Sequence, residues 1–134
     1  MPVPLTFLAV VQVAAGGAMG AVLRWLLGAT VLRWYGPALT GVPVPTLLVN
    51  VVGSLLMGVL SGWLMKQAGD EQFWRLCIGV GLLGGFTTFS TFSLELWLLI
   101  EKGLIGLALA YAFASLGGGL LALWAGIWLA RGMA

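Results

Sequence analysis

The chain has 134 residues, of which 61% are hydrophobic and 7% charged, with six Lys or Arg, four Asp or Glu and no His. A soluble domain carries about 25% charged and ~45–50% apolar residues, so this composition excludes the soluble globular class and points to a bilayer. It also argues against nucleic-acid binding, because the basic residues form no cluster. With no His and Cys77 as the single cysteine, it excludes His-based acid–base chemistry and His or multi-Cys metal sites.

A transmembrane helix needs about 20 predominantly apolar residues. Four stretches qualify, at about 5–32, 45–65, 73–100 and 104–130. They predict an all-α membrane protein, a single four-span domain over 1–134. The N-terminus lacks the basic region and cleavage site of a signal peptide, so the first stretch is expected to belong to the mature fold. The first span carries Gly16 and Gly20 four residues apart, a spacing that lets helices approach closely in lipid. Arg24 has two readings. Its side chain snorkels to the interface, or it holds positive potential in a water-filled vestibule that attracts anions. Arg33 to Pro37, continuing through Gly41 and Pro43, form a turn-rich connector.

On the second span Thr46, Asn50 and Ser54 recur at i, i+4 and i+8, so they share one helix face. A buried amide in lipid needs partners. Asn50 is therefore either glue between helices or part of a polar path. Gly58 and Gly62 repeat the small-residue spacing, and residues 66–72 are the most polar segment. The third span departs from the others. It carries Gly81, Gly84 and Gly85, then Phe86-Thr87-Thr88-Phe89-Ser90-Thr91-Phe92-Ser93, which is poor helix material near mid-membrane. One reading is a kinked but continuous helix whose hydroxyls bond back to its own carbonyls. The other is a broken helix whose exposed backbone groups serve an ion. If helix resumes near Phe89, then Phe89, Phe92 and Glu95 lie on adjoining turns of one face. Glu95 is the acid deepest within a span, and an intramembrane carboxylate is a functional candidate.

Glu101-Lys102-Gly103 is a tight connector to the fourth span, where Tyr111, Ser115 and Gly119 repeat the polar spacing of the second span. Ser115 and Gly119, like Gly81 and Gly85 on the third, form a small-residue pair expected to let helices approach closely. Trp34, Trp63, Trp74, Trp97 and Trp128 lie near span ends and fit interfacial belts. Cys77 reads as an apolar filler. With four spans both termini share one side. That side carries Lys66, Arg75 and Arg131; the other carries Arg33 and Lys102, with Arg24 approaching it. So balanced a distribution sets no strong orientation. Either a few residues decide it weakly, or the chain inserts both ways and pairs as an antiparallel homodimer.

Three stretches together resemble the Fluc (CrcB) family of fluoride channels. They are Gly17 to Trp25, Thr46 to Ser54 and Gly84 to Phe92, one per span, and the third is the most specific. The resemblance covers essentially the whole chain. It implies a dual-topology antiparallel homodimer in the bacterial inner (plasma) membrane, with two fluoride pores and a structural sodium ion at the dimer interface. It implies that Phe89 and Phe92 line the pores, that Asn50 donates a hydrogen bond to fluoride, and that Arg24 is the vestibule arginine. Tyr111 and Ser115 match the fourth-span polar track; Thr46, Thr88 and Glu95 are further candidates along the pore. Sodium would be held by backbone carbonyls at Gly84 and Thr87 of both subunits. Where family members often carry another hydroxyl on the fourth span, this chain has Gly119, and after Arg24 it has Trp25 where Tyr is common.

The chemistry is coherent with neutral donors. Fluoride is small and strongly hydrated, so a pore must replace its water with an amide, hydroxyls and the positive edges of phenyl rings, yet bind weakly enough to release it. Carbonyl oxygens suit a hard cation such as sodium. The expected function is a fluoride-selective channel that passively exports fluoride and so reduces its toxicity; it is not an enzyme. The alternative is a proton-coupled exporter of the small multidrug-resistance kind, which carries its essential Glu in the first span, where this chain has none. A membrane scaffold held by small-residue packing is a third reading.

Overall fold

The computed structural model describes residues 5–36, 41–69 and 71–132. Pro37 of the first connector and Asp70 of the second lie outside the described residues. The described chain is helical. Helices α1 (Phe7–Tyr35) and α2 (Val44–Leu64) are followed by α3 (Trp74–Leu83), which runs directly into a single turn at Gly84–Phe86. Helices α4 (Phe89–Glu101) and α5 (Ile105–Gly132) complete it. Among the described residues four helices are long and apolar enough to cross a membrane: Phe7–Tyr35, Val44–Leu64, Trp74–Glu101 and Ile105–Gly132. Each lies within a few residues of its expected bounds.

Local sequence accounts for the helix ends. Thr6 caps α1, its side chain accepting from the N–H of Ala9 at 3.2 Å. Pro45 sits in the first turn of α2, where its missing N–H costs nothing. At the end of α4 the N–H of Leu104 reaches Leu99 O and that of Gly103 reaches Ile100 O, a Schellman closure. It requires the positive φ of 73° that Gly103 supplies. This is what makes Glu101-Lys102-Gly103 so short a connector. At the opposite end of the bundle Lys66 donates to Ala130 O at 2.9 Å and Arg131 O at 2.7 Å, tying α2 to the last carbonyls of α5.

Two tight helix pairs organise the bundle: α1 with α3, and α2 with α5. A Cβ on Gly16 would strike the carbonyl of Cys77, and one on Gly20 the carbonyl of Leu82. Across the same seam a Cβ on Gly85 would lie 2.6 Å from Gly17 O. In the other pair Gly58 faces the carbonyl of Leu123, and Gly126 that of Leu55. Glycine at these positions permits backbone-to-backbone approach, the main source of helix adhesion where lipid replaces water. The expected Ser115/Gly119 pair does not do this: a Cβ on Gly119 would meet only Ser54 Oγ, at an ordinary 3.4 Å. The close approach on α5 is at Gly126 instead. Large apolar side chains such as Phe113, Leu120, Trp124 and Trp128 face outward, as helices meeting lipid or another chain do.

The third span is broken, not merely kinked, and the break is at Thr87–Thr88. Both residues are extended, with φ/ψ of −79/159° and −150/122°. Gly84 and Gly85 stay helical, and the missing side chain of Gly85 is used against Gly17 of α1. Upstream, Trp74–Leu83 is wound as a π-helix, a local overwidening often found near functional sites. The continuous-helix reading survives in part. Thr87 Oγ1 donates back to Leu83 O at 3.0 Å and Ser93 Oγ to Phe89 O at 2.9 Å.

Candidate functional site

The break is closed by a side chain from another helix. Asn50 on α2 donates through Nδ2 to Thr88 O at 3.0 Å, and the N–H of Thr88 donates to Asn50 Oδ1 at 2.8 Å. Thr88 also caps α4: its Oγ1 accepts from the N–H of Thr91 at 3.2 Å and donates to Thr91 Oγ1 at 3.1 Å. These two diversions have a consequence for the backbone. In a continuous helix Thr88 N–H would serve Gly84 O and Thr91 N–H would serve Thr87 O. Both donors are spent elsewhere, so Gly84 O and Thr87 O lack their helical partners, and the break leaves Gly85 O and Phe86 O without theirs as well. An all-oxygen set of this kind fits a hard cation such as sodium.

Beside the break lies a cavity of about 230 Å³ lined by Asn50, Ser54, Thr88, Phe89, Phe92 and Ser115, among others. Ser115 Oγ is buried with no hydrogen-bond partner, and Asn50 Nδ2 has a second N–H beyond the one given to Thr88. Phe92 is 7% exposed and Phe89 is 76% exposed, so one wall is open in the single chain. The rings continue away from this cavity in a series. Phe89 and Phe92 have centroids 5.8 Å apart, and Phe92 and Tyr111 5.2 Å. Tyr111 then donates to Glu95 Oε2 at 2.8 Å, while Thr46 donates to Glu95 Oε1 at 2.8 Å. Phe92, Leu99, Ala108 and Tyr111 form the buried core beneath this line.

Two further cavities adjoin. One of about 110 Å³ is lined by Arg24, Thr46, Thr88 and Thr91, with Gly28, Pro45 and Val49. Arg24 Nε is buried there and has no partner. The other, about 390 Å³, has Glu95 in its wall and Lys102, just past the end of α4, further along. The expected residues are therefore distributed over one connected region. Asn50, Thr88, Phe89, Phe92 and Ser115 share the first cavity; Arg24, Thr46 and Thr88 share the second; Tyr111 and Glu95 join the ring series to the third. Gly84 and Thr87 sit at the break itself.

Comparison with known proteins decides the family. Residues 11–127 match the family model described as CrcB-like protein, Camphor Resistance (CrcB). The chain belongs to the CrcB family. Its similar relatives include proteins named fluoride-specific ion channel FluC. That of Novosphingobium aromaticivorans is 52% identical over 122 residues, 91% of this chain and 95% of the relative. That of Phenylobacterium zucineum is 50% identical over 124 residues, 92% and 95% of the two chains. That of Caulobacter vibrioides is 49% identical over 120 residues, 89% and 92%. CrcB is a family of channels, not of enzymes, and this CrcB chain is a multi-pass membrane protein.

Sequence reasoning missed one feature of the site and one buried polar atom away from its three cavities. Thr91 is the second half of the Thr88 cap, and the spacing Thr88-x-x-Thr91 at a helix start was the available signal. Gln12 on α1 buries an Oε1 atom without a partner; it is the one amide in the first span, which could have drawn notice.

Proposed function

We infer that this protein is a fluoride-selective channel, passively exporting fluoride across a bacterial inner membrane and so limiting its toxicity. The observation that carries this reading is the cavity at the break. Its polar wall offers the free N–H of Asn50 and the unpartnered hydroxyl of Ser115, and its apolar wall offers the phenyl rings of Phe89 and Phe92. Neutral donors and positive ring edges can replace part of fluoride's hydration without holding it tightly. The names of the relatives, half identical over nine-tenths of the chain, support the same ion.

The working unit is an antiparallel homodimer with two pores. In support, the basic residues divide almost evenly between the two sides, and the exposed Phe89 leaves one wall of the cavity uncovered, as a surface that a second copy would cover. Sodium between two such breaks would be held by Gly84 and Thr87 of each subunit, where it would compensate carbonyls that have lost their helical donors. Arg24, beside Thr46 and Thr88, draws anions toward the path. The test is fluoride efflux from liposomes reconstituted with the protein, with chloride as the control. Fluoride efflux with chloride retained is expected; equal passage of both ions overturns the reading.

A further inference from the structure

We propose that Glu95 is an internal competitor for the anion path, whose carboxylate holds the hydroxyls of Thr46 and Tyr111 between passages and swings toward Lys102 to release them. The inference rests on the fluoride-channel reading and assigns Glu95 a part in it.

The motive is a conflict in the geometry. Thr46 Oγ1 and Tyr111 Oη converge from α2 and α5 as two neutral donors, the arrangement a small anion needs. Both already serve an anion, one on each oxygen of Glu95, at 2.8 Å. A hydroxyl has a single proton to donate. While the carboxylate occupies them, neither hydroxyl can donate to fluoride. Two like charges at one pair of donors also repel strongly where the dielectric is low. For fluoride to use this station, the carboxylate must leave it.

The same structure supplies somewhere to go. Glu95 is in the wall of the 390 Å³ cavity, which is lined further along by Leu98, Leu99 and Lys102. Lys102 is seven residues on, two helical turns along one face, or about 10 Å at 1.5 Å per residue. It is exposed at the end of α4, with a long flexible stem that can reach back toward the carboxylate. Helix α4 is continuous from Phe89 to Glu101, so the exchange needs only rotation about side-chain bonds. Glu95 thus has two anion-compatible positions: on two hydroxyls, or in an open cavity facing an ammonium. A fluoride arriving past Phe92 and Tyr111 favours the second.

Self-occupancy weakens the apparent affinity for fluoride by the fraction of time the donors are free. The experiment measures the fluoride concentration giving half-maximal flux in proteoliposomes for four forms: native, Glu95→Gln, Lys102→Met and the double variant. Glu95→Gln removes the competing charge and is expected to lower that concentration by about threefold or more. Lys102→Met removes the alternative partner, so it is expected to raise the value in the native background and leave it unchanged in Glu95→Gln. An unchanged or raised value in Glu95→Gln overturns the proposal, as does an equal effect of Lys102→Met in both backgrounds. Lys102 is exposed, so its variant folds even where Glu95→Gln does not, and an unchanged value in Lys102→Met alone also overturns it. Absence of fluoride flux in the native protein overturns the channel reading itself, and this inference with it.

Discussion

Asn50 and Thr88, 38 positions apart in sequence, exchange two hydrogen bonds: amide to carbonyl at 3.0 Å and backbone N–H to amide oxygen at 2.8 Å. One side chain therefore satisfies both backbone groups of a residue stranded by the helix break, at a depth where no bulk water can do so. It also fixes the orientation of the amide, because the oxygen is committed to a donor and the nitrogen to an acceptor. The second N–H of Nδ2 is left for the cavity.

Asn50→Asp separates these duties. A carboxylate can still accept from Thr88 N–H but cannot donate to Thr88 O. Leaving a buried carbonyl unpaired costs about 1–3 kcal/mol, and a negative charge now faces the anion. We expect loss of fluoride efflux together with a lower thermal midpoint in detergent. Asn50→Ala should lose stability too, without the charge. Native flux in Asn50→Asp at a pH where the carboxylate is ionised would remove Asn50 from the ion path.

The four spans were legible in the sequence because an apolar run of about 20 residues matches the thickness of the hydrocarbon core. The third span was legible as abnormal over the stretch that holds the break, but composition did not say which residues of that stretch leave the helix. Gly84 and Gly85 are poor helix formers in isolation; here the absence of a side chain lets Gly85 close on Gly17, and packing overrides propensity. The break falls at Thr87–Thr88 because Thr88 finds partners in Asn50 and Thr91 that a helix would deny it. Helical spacing placed Thr46, Asn50 and Ser54 on one face correctly, since periodicity relates residues within a helix. It carries no information on which residue of another helix they meet, so the Asn50–Thr88 and Thr46–Glu95–Tyr111 contacts were not legible. The π-winding of Trp74–Leu83 leaves no compositional trace.

Phe89 and Phe92 sit in one cavity with opposite burial, which separates function from stability. Phe92 packs between Phe89 and Tyr111 in the core, whereas Phe89 is 76% exposed in the single chain. Phe89→Ile and Phe92→Ile are both expected to cut fluoride flux with the bundle intact, because an aliphatic side chain presents no positive ring edge. Phe92→Ala should in addition cost about 2 kcal/mol, less than in a water-soluble core because lipid is as apolar as a phenyl ring. Unaltered flux in both isoleucine variants would argue against a phenyl-lined pore.

The glycine seams predict a graded series. Gly16→Ala, Gly20→Ala, Gly58→Ala and Gly126→Ala each place a methyl group on a backbone carbonyl of the facing helix, an atom that cannot turn aside. We expect these variants to part the helix pairs and to unfold or aggregate in detergent. Gly106→Ala meets nothing within 4 Å and should be neutral, or stabilising by up to about 1 kcal/mol through the helix preference of alanine. Thermal midpoints followed by size exclusion measure the series. Equal stability of Gly20→Ala and Gly106→Ala would mean the α1–α3 seam is looser than described.

Sodium dependence should follow from the Thr88 cap. Gly84 O and Thr87 O lack helical donors because Thr88 N–H goes to Asn50 and Thr91 N–H goes to Thr88 Oγ1. An ion bound at a hundredfold its dissociation constant stabilises the assembly by about 2.7 kcal/mol. Replacing sodium with bulky N-methylglucamine is therefore expected to lower the thermal midpoint of the native protein. An identical midpoint for the native protein in both buffers would show that the stranded carbonyls are compensated by something other than sodium.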